Sequence, residues 1–181
     1  MDITKRQIDS ALLRIDNGLN KYLLIQASLT NVDVSKDREF QKSFNHFYRI
    51  RRDLKWQLPF YKLLQEKKNK RISFKDALSD IKQKTGRLEA SFASKLVATI
   101  HPDKPIIDKF VLENAGLKLP YSSAKNREAR IISVYCQLQQ KFKDFLITDN
   151  GKYLVKKFIE KYPKKTITHI KMADLVLWQT R

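Results

Sequence analysis

The chain has 181 residues and a single cysteine, Cys136. One thiol cannot close an internal disulfide or build a Cys-rich zinc site. It lies in the apolar run Ile131-Ile132-Ser133-Val134-Tyr135-Cys136, so it is expected in the core as a small hydrophobe. A charged-then-apolar leader is missing, which argues against a secretory signal. No apolar run approaches the ~20 residues needed to cross a bilayer. A cytoplasmic protein with no membrane partner is expected. Several reaction machineries are missing as well. There is no Walker phosphate loop, no Gly-x-Gly-x-x-Gly, no His-Glu-x-x-His and no serine nucleophile elbow. His46, His101 and His169 are far apart in sequence and suggest no metal set. No paired-carboxylate nuclease pattern stands out. No cofactor or metal is expected, and an enzyme here has to work with few groups, down to one carboxylate.

Acidic residues are also in short supply. There are 19 Asp and Glu against 37 Lys and Arg, giving a net charge of +18. Such a surplus repels itself in a compact state and is compensated by a polyanion. DNA and RNA come first and an anionic membrane surface third. A generally basic solvated surface is the plain alternative. The surplus recurs in each third of the chain, so a basic tail is not its main source. It is densest in Lys62–Lys75, with six Lys or Arg and one acid, and in Lys152–Lys171, with seven Lys and one acid. Either segment can neutralise several phosphates or merely solvate a helix face.

With 4 Gly and 5 Pro, the chain offers few breaks, and 3.6-residue periodicity dominates. Ile8, Leu12, Ile15, Leu19 and Tyr22 predict one amphipathic helix. Phe40, Phe44, Phe47, Ile50 and Leu54 predict a second over roughly 37–54. Pro59 suits the first turn of a third. Ser73 and Asp76 resemble a capping box ahead of Phe74, Ala77, Leu78 and Ile81, in a helix stopping near Thr85-Gly86. A fifth helix is expected at about 88–100, and a short one runs from Asp108 to Gly116. Longer ones follow at about 123–145, Tyr153–Tyr162 after an Asn150-Gly151 turn, and about 168–179. No convincing strand pair, repeat or low-complexity linker is seen. The expectation is an all-α, compact, two-lobed fold with an interlobe cleft. It forms a single helical domain over 1–181, with a central lobe at about 60–120 and the remainder from 1–58 and 121–181.

One segment carries chemistry. Lys84-Thr85-Gly86-Arg87-Leu88-Glu89-Ala90 leads into a small-residue helix through Ala93. A Pro-rich loop, His101-Pro102-Asp103-Lys104-Pro105, then reaches Ile106-Ile107-Asp108. This order resembles the helix-hairpin-helix DNA glycosylase superfamily. There, a Gly-containing hairpin donates backbone N–H groups to a DNA phosphate. A following helix packs an Ala against the hairpin, and an apolar-apolar-Asp motif opens a short helix. Ala93 and Ile106-Ile107-Asp108 match those places over about 35 residues.

The resemblance implies a two-lobed helical fold and a monofunctional glycosylase that flips and excises a damaged or modified base, leaving an abasic site. Bifunctional members carry a Schiff-base Lys where Ser91 stands here. The hairpin departs from the usual Leu-Pro-Gly-Val-Gly, with one Gly and no Pro, and the iron–sulfur loop is missing. Asp108 is the implied catalytic carboxylate, facing the cationic sugar of the transition state; it also reads as an ordinary N-cap. Candidate DNA-binding residues are Thr85, Gly86, Arg87, Ser91, Lys95, Lys109, Arg51 and Arg52. Candidate base-pocket residues are Tyr48, Trp56, Trp178 and Asp174; Asp174 also reads as an exposed helix residue. The expected partner is double-stranded DNA, bound by a monomer, in host repair or in defence against foreign DNA. The alternative is a non-catalytic helical protein that binds DNA or RNA through the same hairpin and basic faces.

Overall fold

A computed structural model of the chain describes residues 1 and 3–180. Among them all regular structure is helical: α1 (Lys5–Leu12), α2 (Asp16–Asn31), α3 (Arg38–Tyr48), α4 (Leu54–Lys67), α5 (Phe74–Thr85), α6 (Ala90–Ile100), α7 (Lys109–Asn114), α8 (Arg127–Ile147), α9 (Asp149–Lys161) and α10 (His169–Leu177). Two compact units result. One is continuous, Asn17–Ile100; the other joins Met1–Asp16 to His101–Arg181. The segment expected as a central lobe, about 60–120, therefore supplies residues to both.

In the continuous unit, aromatic side chains fill the core. Phe44 is fully buried, and its ring meets those of Phe40, Tyr48, Phe60 and Tyr61 at centroid distances of 5.7, 4.6, 5.8 and 5.7 Å. Aromatic contacts of this kind add to the burial of large apolar area. Gln41 is buried among them and donates to the Val34 carbonyl at 3.0 Å, so its amide is not stranded. Ala77, Leu78 and Ile81 of α5 pack inward, and so do Ala93, Leu96 and Val97 of α6.

In the discontinuous unit, α10 is the central helix. Every residue from Lys171 to Leu177 is buried, and α1, α7, α8 and α9 all pack on it. A helix that is apolar nearly all round has to lie inside a fold. Side chains tie the residues flanking α1 to distant parts of the unit: Asn150 Nδ2 donates to the Ile3 carbonyl at 2.9 Å and Arg14 Nη2 to the Gln179 carbonyl at 2.8 Å. Tyr162 donates to Asp16, and Lys161 Nζ donates to the Leu12 carbonyl at 2.6 Å.

Several helix boundaries differ from the periodicity reading, each for a local reason. The first expected helix is two, broken at 13–15, although Ile8, Leu12, Ile15, Leu19 and Tyr22 are all buried. The second stops at Tyr48. Arg49 takes a left-handed conformation (φ 52°), and Ile50 N–H closes on the Asn45 carbonyl at 2.9 Å. Asp53 then caps α4 through its contact with Trp56 N–H at 2.9 Å. Pro59 thus falls inside α4 rather than at its start. Cys136 is exposed, not buried. The inward stripe of α8 is Ile131, Tyr135, Leu138, Phe142 and Phe145, and position 136 lies about 100° away from Tyr135 around the helix.

Asn150-Gly151 is not a turn but the first turn of α9. The break falls at Thr148, whose hydroxyl accepts from Gly151 N–H at 3.1 Å. The glycine is required by close approach, because a Cβ at 151 would lie 2.0 Å from the Phe145 carbonyl oxygen. Gly151→Ala is expected to cost about 3 kcal/mol, at the upper end of the overpacking range. In a chain of this size that lowers the melting temperature by on the order of 10 °C. Thermal unfolding followed by circular dichroism measures it; an unchanged midpoint would refute the close approach.

Candidate functional site

Asp108 is placed by the loop before it. Pro105, Ile106 and Ile107 are buried, and the Tyr135 hydroxyl of α8 donates to the Pro105 carbonyl at 3.1 Å. At the loop's start Thr168, the N-cap of α10, donates to the Pro102 carbonyl at 2.6 Å. Asp108 is extended (φ −131°, ψ 155°), and its Oδ1 accepts from Phe110 N–H at 3.0 Å, which caps α7. Its Oδ2 accepts no hydrogen bond from the described residues, and the side chain is half-buried. Gly116 ends the short helical segment in a left-handed conformation, φ +65°. Lys109 is exposed and lies 3.9 Å from Glu113.

Behind Asp108 lies a buried ion pair. Lys171 Nζ is 2.8 Å from Asp174 Oδ2, and the Lys171 side chain is completely buried. Asp174 also accepts from the Ile106 backbone N–H, two residues ahead of Asp108. Burial pushes the Asp174 carboxyl above its ordinary range, Lys171 pulls it back, and the nearby Asp108 charge pushes it up again. Asp174 is therefore not the exposed helix residue that was one reading of the sequence. It forms part of the scaffold that fixes the 106–108 backbone. Trp178 follows one turn later as the C-cap of α10 and is half-buried.

The hairpin residues lie in the other unit. The C-cap of α5 is Gly86, left-handed with φ 72°, whose N–H closes on the Lys82 carbonyl. A side chain there would be strained. Residues 87–89 lead directly into α6, and Ala93 is fully buried. The turn is joined to the 49–53 segment by an ion pair, Arg52 Nη2 to Glu89 Oε1 at 2.6 Å. The Arg52 guanidinium also lies over the rings of Trp56 and Phe92, 5.9 and 5.6 Å from their centroids. A cavity of about 460 Å³ opens between these segments. Arg51, Arg52, Lys55 and Trp56 line it from one side, and Lys84, Thr85 and Arg87 from the other. The structure thus gathers four expected DNA-contacting residues, Thr85, Arg87, Arg51 and Arg52, with one expected pocket aromatic, Trp56.

The remaining candidates are occupied elsewhere. Tyr48 is a core residue, 5% exposed, with its hydroxyl 3.2 Å from that of Thr99. Trp56, in the cavity wall, is itself held between Phe60 and Phe92, at centroid distances of 5.4 and 4.3 Å. Lys95 Nζ donates to Ser91 Oγ at 2.9 Å and lies over the Phe92 ring. The dense positive segments are also partly used inside the fold: Lys67 pairs with Asp80 at 3.0 Å, Lys68 donates to the Val32 carbonyl, and Lys171 is buried.

Sequence reasoning missed Lys171 and Glu89 as organising residues. The signal for Lys171 was present: Lys and Asp three residues apart in an otherwise apolar helix have to neutralise each other. Among the described residues no group of three or more His, Cys, Asp or Glu could hold a metal ion, and no helix is long and apolar enough to cross a membrane. In comparisons with known proteins, the chain matches no family model, no curated protein and no solved structure.

Proposed function

We propose that the chain is a DNA-binding, monofunctional DNA N-glycosylase. In this reading the turn at Thr85–Ala90 holds the strand through its backbone N–H groups and neighbouring cations. Asp108 serves the reaction. As the bond between C1′ and the base nitrogen breaks, positive charge grows on the sugar, and a carboxylate beside it stabilises that charge. The same carboxylate orients a water whose oxygen bonds to C1′. The proton released from that water neutralises the departing base nitrogen, so the products are a free base and an abasic site, and neither step needs a cofactor.

The observation that supports this reading best is the state of the Asp108 carboxylate. One oxygen is used as a helix cap and held by a rigid loop, and the other has no partner among the described residues. Preorganised charge of that kind is what electrostatic catalysis requires. A damaged base of the host or a modified base of foreign DNA would suit the same chemistry.

The test is incubation of the full chain with duplexes and phage or genomic DNAs of varied base modification, followed by mass spectrometry for released bases. Release of one modified base, with abasic sites in the product, is expected. Duplex affinity should fall steeply with salt, because several phosphates are neutralised. Salt-sensitive binding with no base released from any substrate would instead establish a non-catalytic DNA-binding or RNA-binding protein, and competition between duplex DNA and RNA would then identify the ligand.

A further inference from the structure

The cavity beside the α5–α6 turn has the dimensions and charge of a site for a single nucleotide. Its volume is about 460 Å³, within the range of small-molecule sites. A base-paired duplex is too wide to enter a concavity of that size and would meet only its rim. Five cationic side chains line it, Arg51, Arg52, Lys55, Lys84 and Arg87, against the single carboxylate of Asp53. That carboxylate is already used, since its Oδ1 caps α4.

The cations fall into two groups. Arg52 is fixed by Glu89, and Lys84 lies 3.8 Å from Glu66. Arg51, Lys55 and Arg87 are exposed and have no ion-pair partner among the described residues. A second observation is independent of charge. Trp56 also lines the cavity and is only 9% exposed, yet its indole Nε1 has no hydrogen-bond partner. An indole N–H can only donate, and a buried donor without an acceptor is costly. Three uncommitted cations call for a ligand with several acceptor oxygens and more than one negative charge, and the Trp56 indole in the cavity wall reports its arrival. Phosphate fits, because guanidinium groups meet its oxygens in a two-pronged geometry.

We propose that this cavity binds the phosphate of a nucleotide, held by Arg51, Lys55 and Arg87, against the wall that Trp56 forms. The ligand is a phosphomonoester, which carries about two charges near neutral pH. It comes either from the 5′-phosphorylated end of a strand or from a free mononucleotide. The site's Arg51 and Arg87 are among the cations assigned above to the DNA strand, but it requires no chemistry at Asp108.

The experiment uses the full chain labelled with nitrogen-15, whose two indole N–H resonances belong to Trp56 and Trp178. Trp178→Phe assigns them. The probes are a deoxynucleoside 5′-monophosphate, the same nucleoside without phosphate, and a short single strand with and without a 5′-phosphate. The Trp56 resonance is expected to shift in a saturable way with the phosphorylated probes, while the Trp178 resonance stays in place. Lys55→Ala with Arg87→Ala, both exposed positions, should weaken that binding about tenfold or more, as loss of two charge-assisted contacts implies. Saturation by the strand alone assigns the site to strand ends, and saturation by the mononucleotide alone assigns it to free nucleotides. The proposal is overturned if no phosphorylated probe moves the Trp56 resonance, if the phosphate-free probes move it equally, or if the double variant binds unchanged. Base release from duplex DNA is scored separately, so either reading can fail without the other.

Discussion

If the chain excises bases as proposed, Asp108→Asn is expected to lower base release by about 10²–10³-fold, the scale on which removing one preorganised electrostatic contact slows an enzyme. The substitution is chosen because it leaves the structure intact. Asparagine keeps the shape and the oxygen that accepts from Phe110 N–H, and Asn and Asp are about equally good N-caps. Only the negative charge is lost. The melting temperature should therefore stay within about 2 °C of the parent's, as a change of under ~0.5 kcal/mol implies, and duplex affinity should hold or rise slightly. Asp108→Ala removes the cap as well and costs roughly 1 kcal/mol, so it cannot separate the two roles. Base release by Asp108→Asn at the parent rate would remove Asp108 from the chemistry and leave it as a cap.

The largest effect on stability is expected from Lys171→Met. Lys171 is completely buried and 2.8 Å from Asp174. Removing its charge strands a buried carboxylate, which costs about 3–5 kcal/mol. Thermal unfolding should show a drop of on the order of 10 °C. The loss has a definite pH dependence. Burial already raises the Asp174 carboxyl, and without the cation the folded chain holds that proton more tightly still. The folded state then binds more protons than the unfolded one, so the variant gains stability as pH falls towards the ordinary carboxylate range and loses it as pH rises. Lys171→Met with Asp174→Asn should recover much of the loss, because the amide oxygen still accepts from Ile106 N–H while the stranded charge is gone. A Lys171→Met variant as stable as the parent would show that the pair contributes nothing.

Periodicity was enough to predict an all-helical chain, and local chemistry was enough for particular boundaries. Ser73 and Gly86 delimit α5 as expected, and Asp108 opens α7, because caps are decided by the residues next to them. The errors fall where a neighbouring cap or corner competes with the periodic pattern. Pro59 is tolerated inside α4 because Asp53 starts that helix a turn and a half earlier. Gly151 is helical because the α8–α9 corner brings it against the Phe145 carbonyl. Of the candidate site, the αL turn at Gly86 and the cap at Asp108 were legible. The convergence of Arg51, Arg52 and Trp56 on that turn was not, since it depends on an ion pair between positions 52 and 89. Asp174 read as ambiguous because its partner, Lys171, was counted among surface cations.

The placement of α1 bears on how the molecule is made. Ile3 and Arg14, which flank it, bond to Asn150 and Gln179, separated from them by 147 and 165 residues. During synthesis, at about 5–20 residues per second, the α1 region emerges before those partners and waits several seconds for them. The continuous unit, 17–100, meanwhile has everything it needs. The continuous unit can therefore fold before α1 finds the partners of its own unit. Pairings this distant slow folding more than local ones do, so α1 spends part of its early life as an unsheltered amphipathic segment.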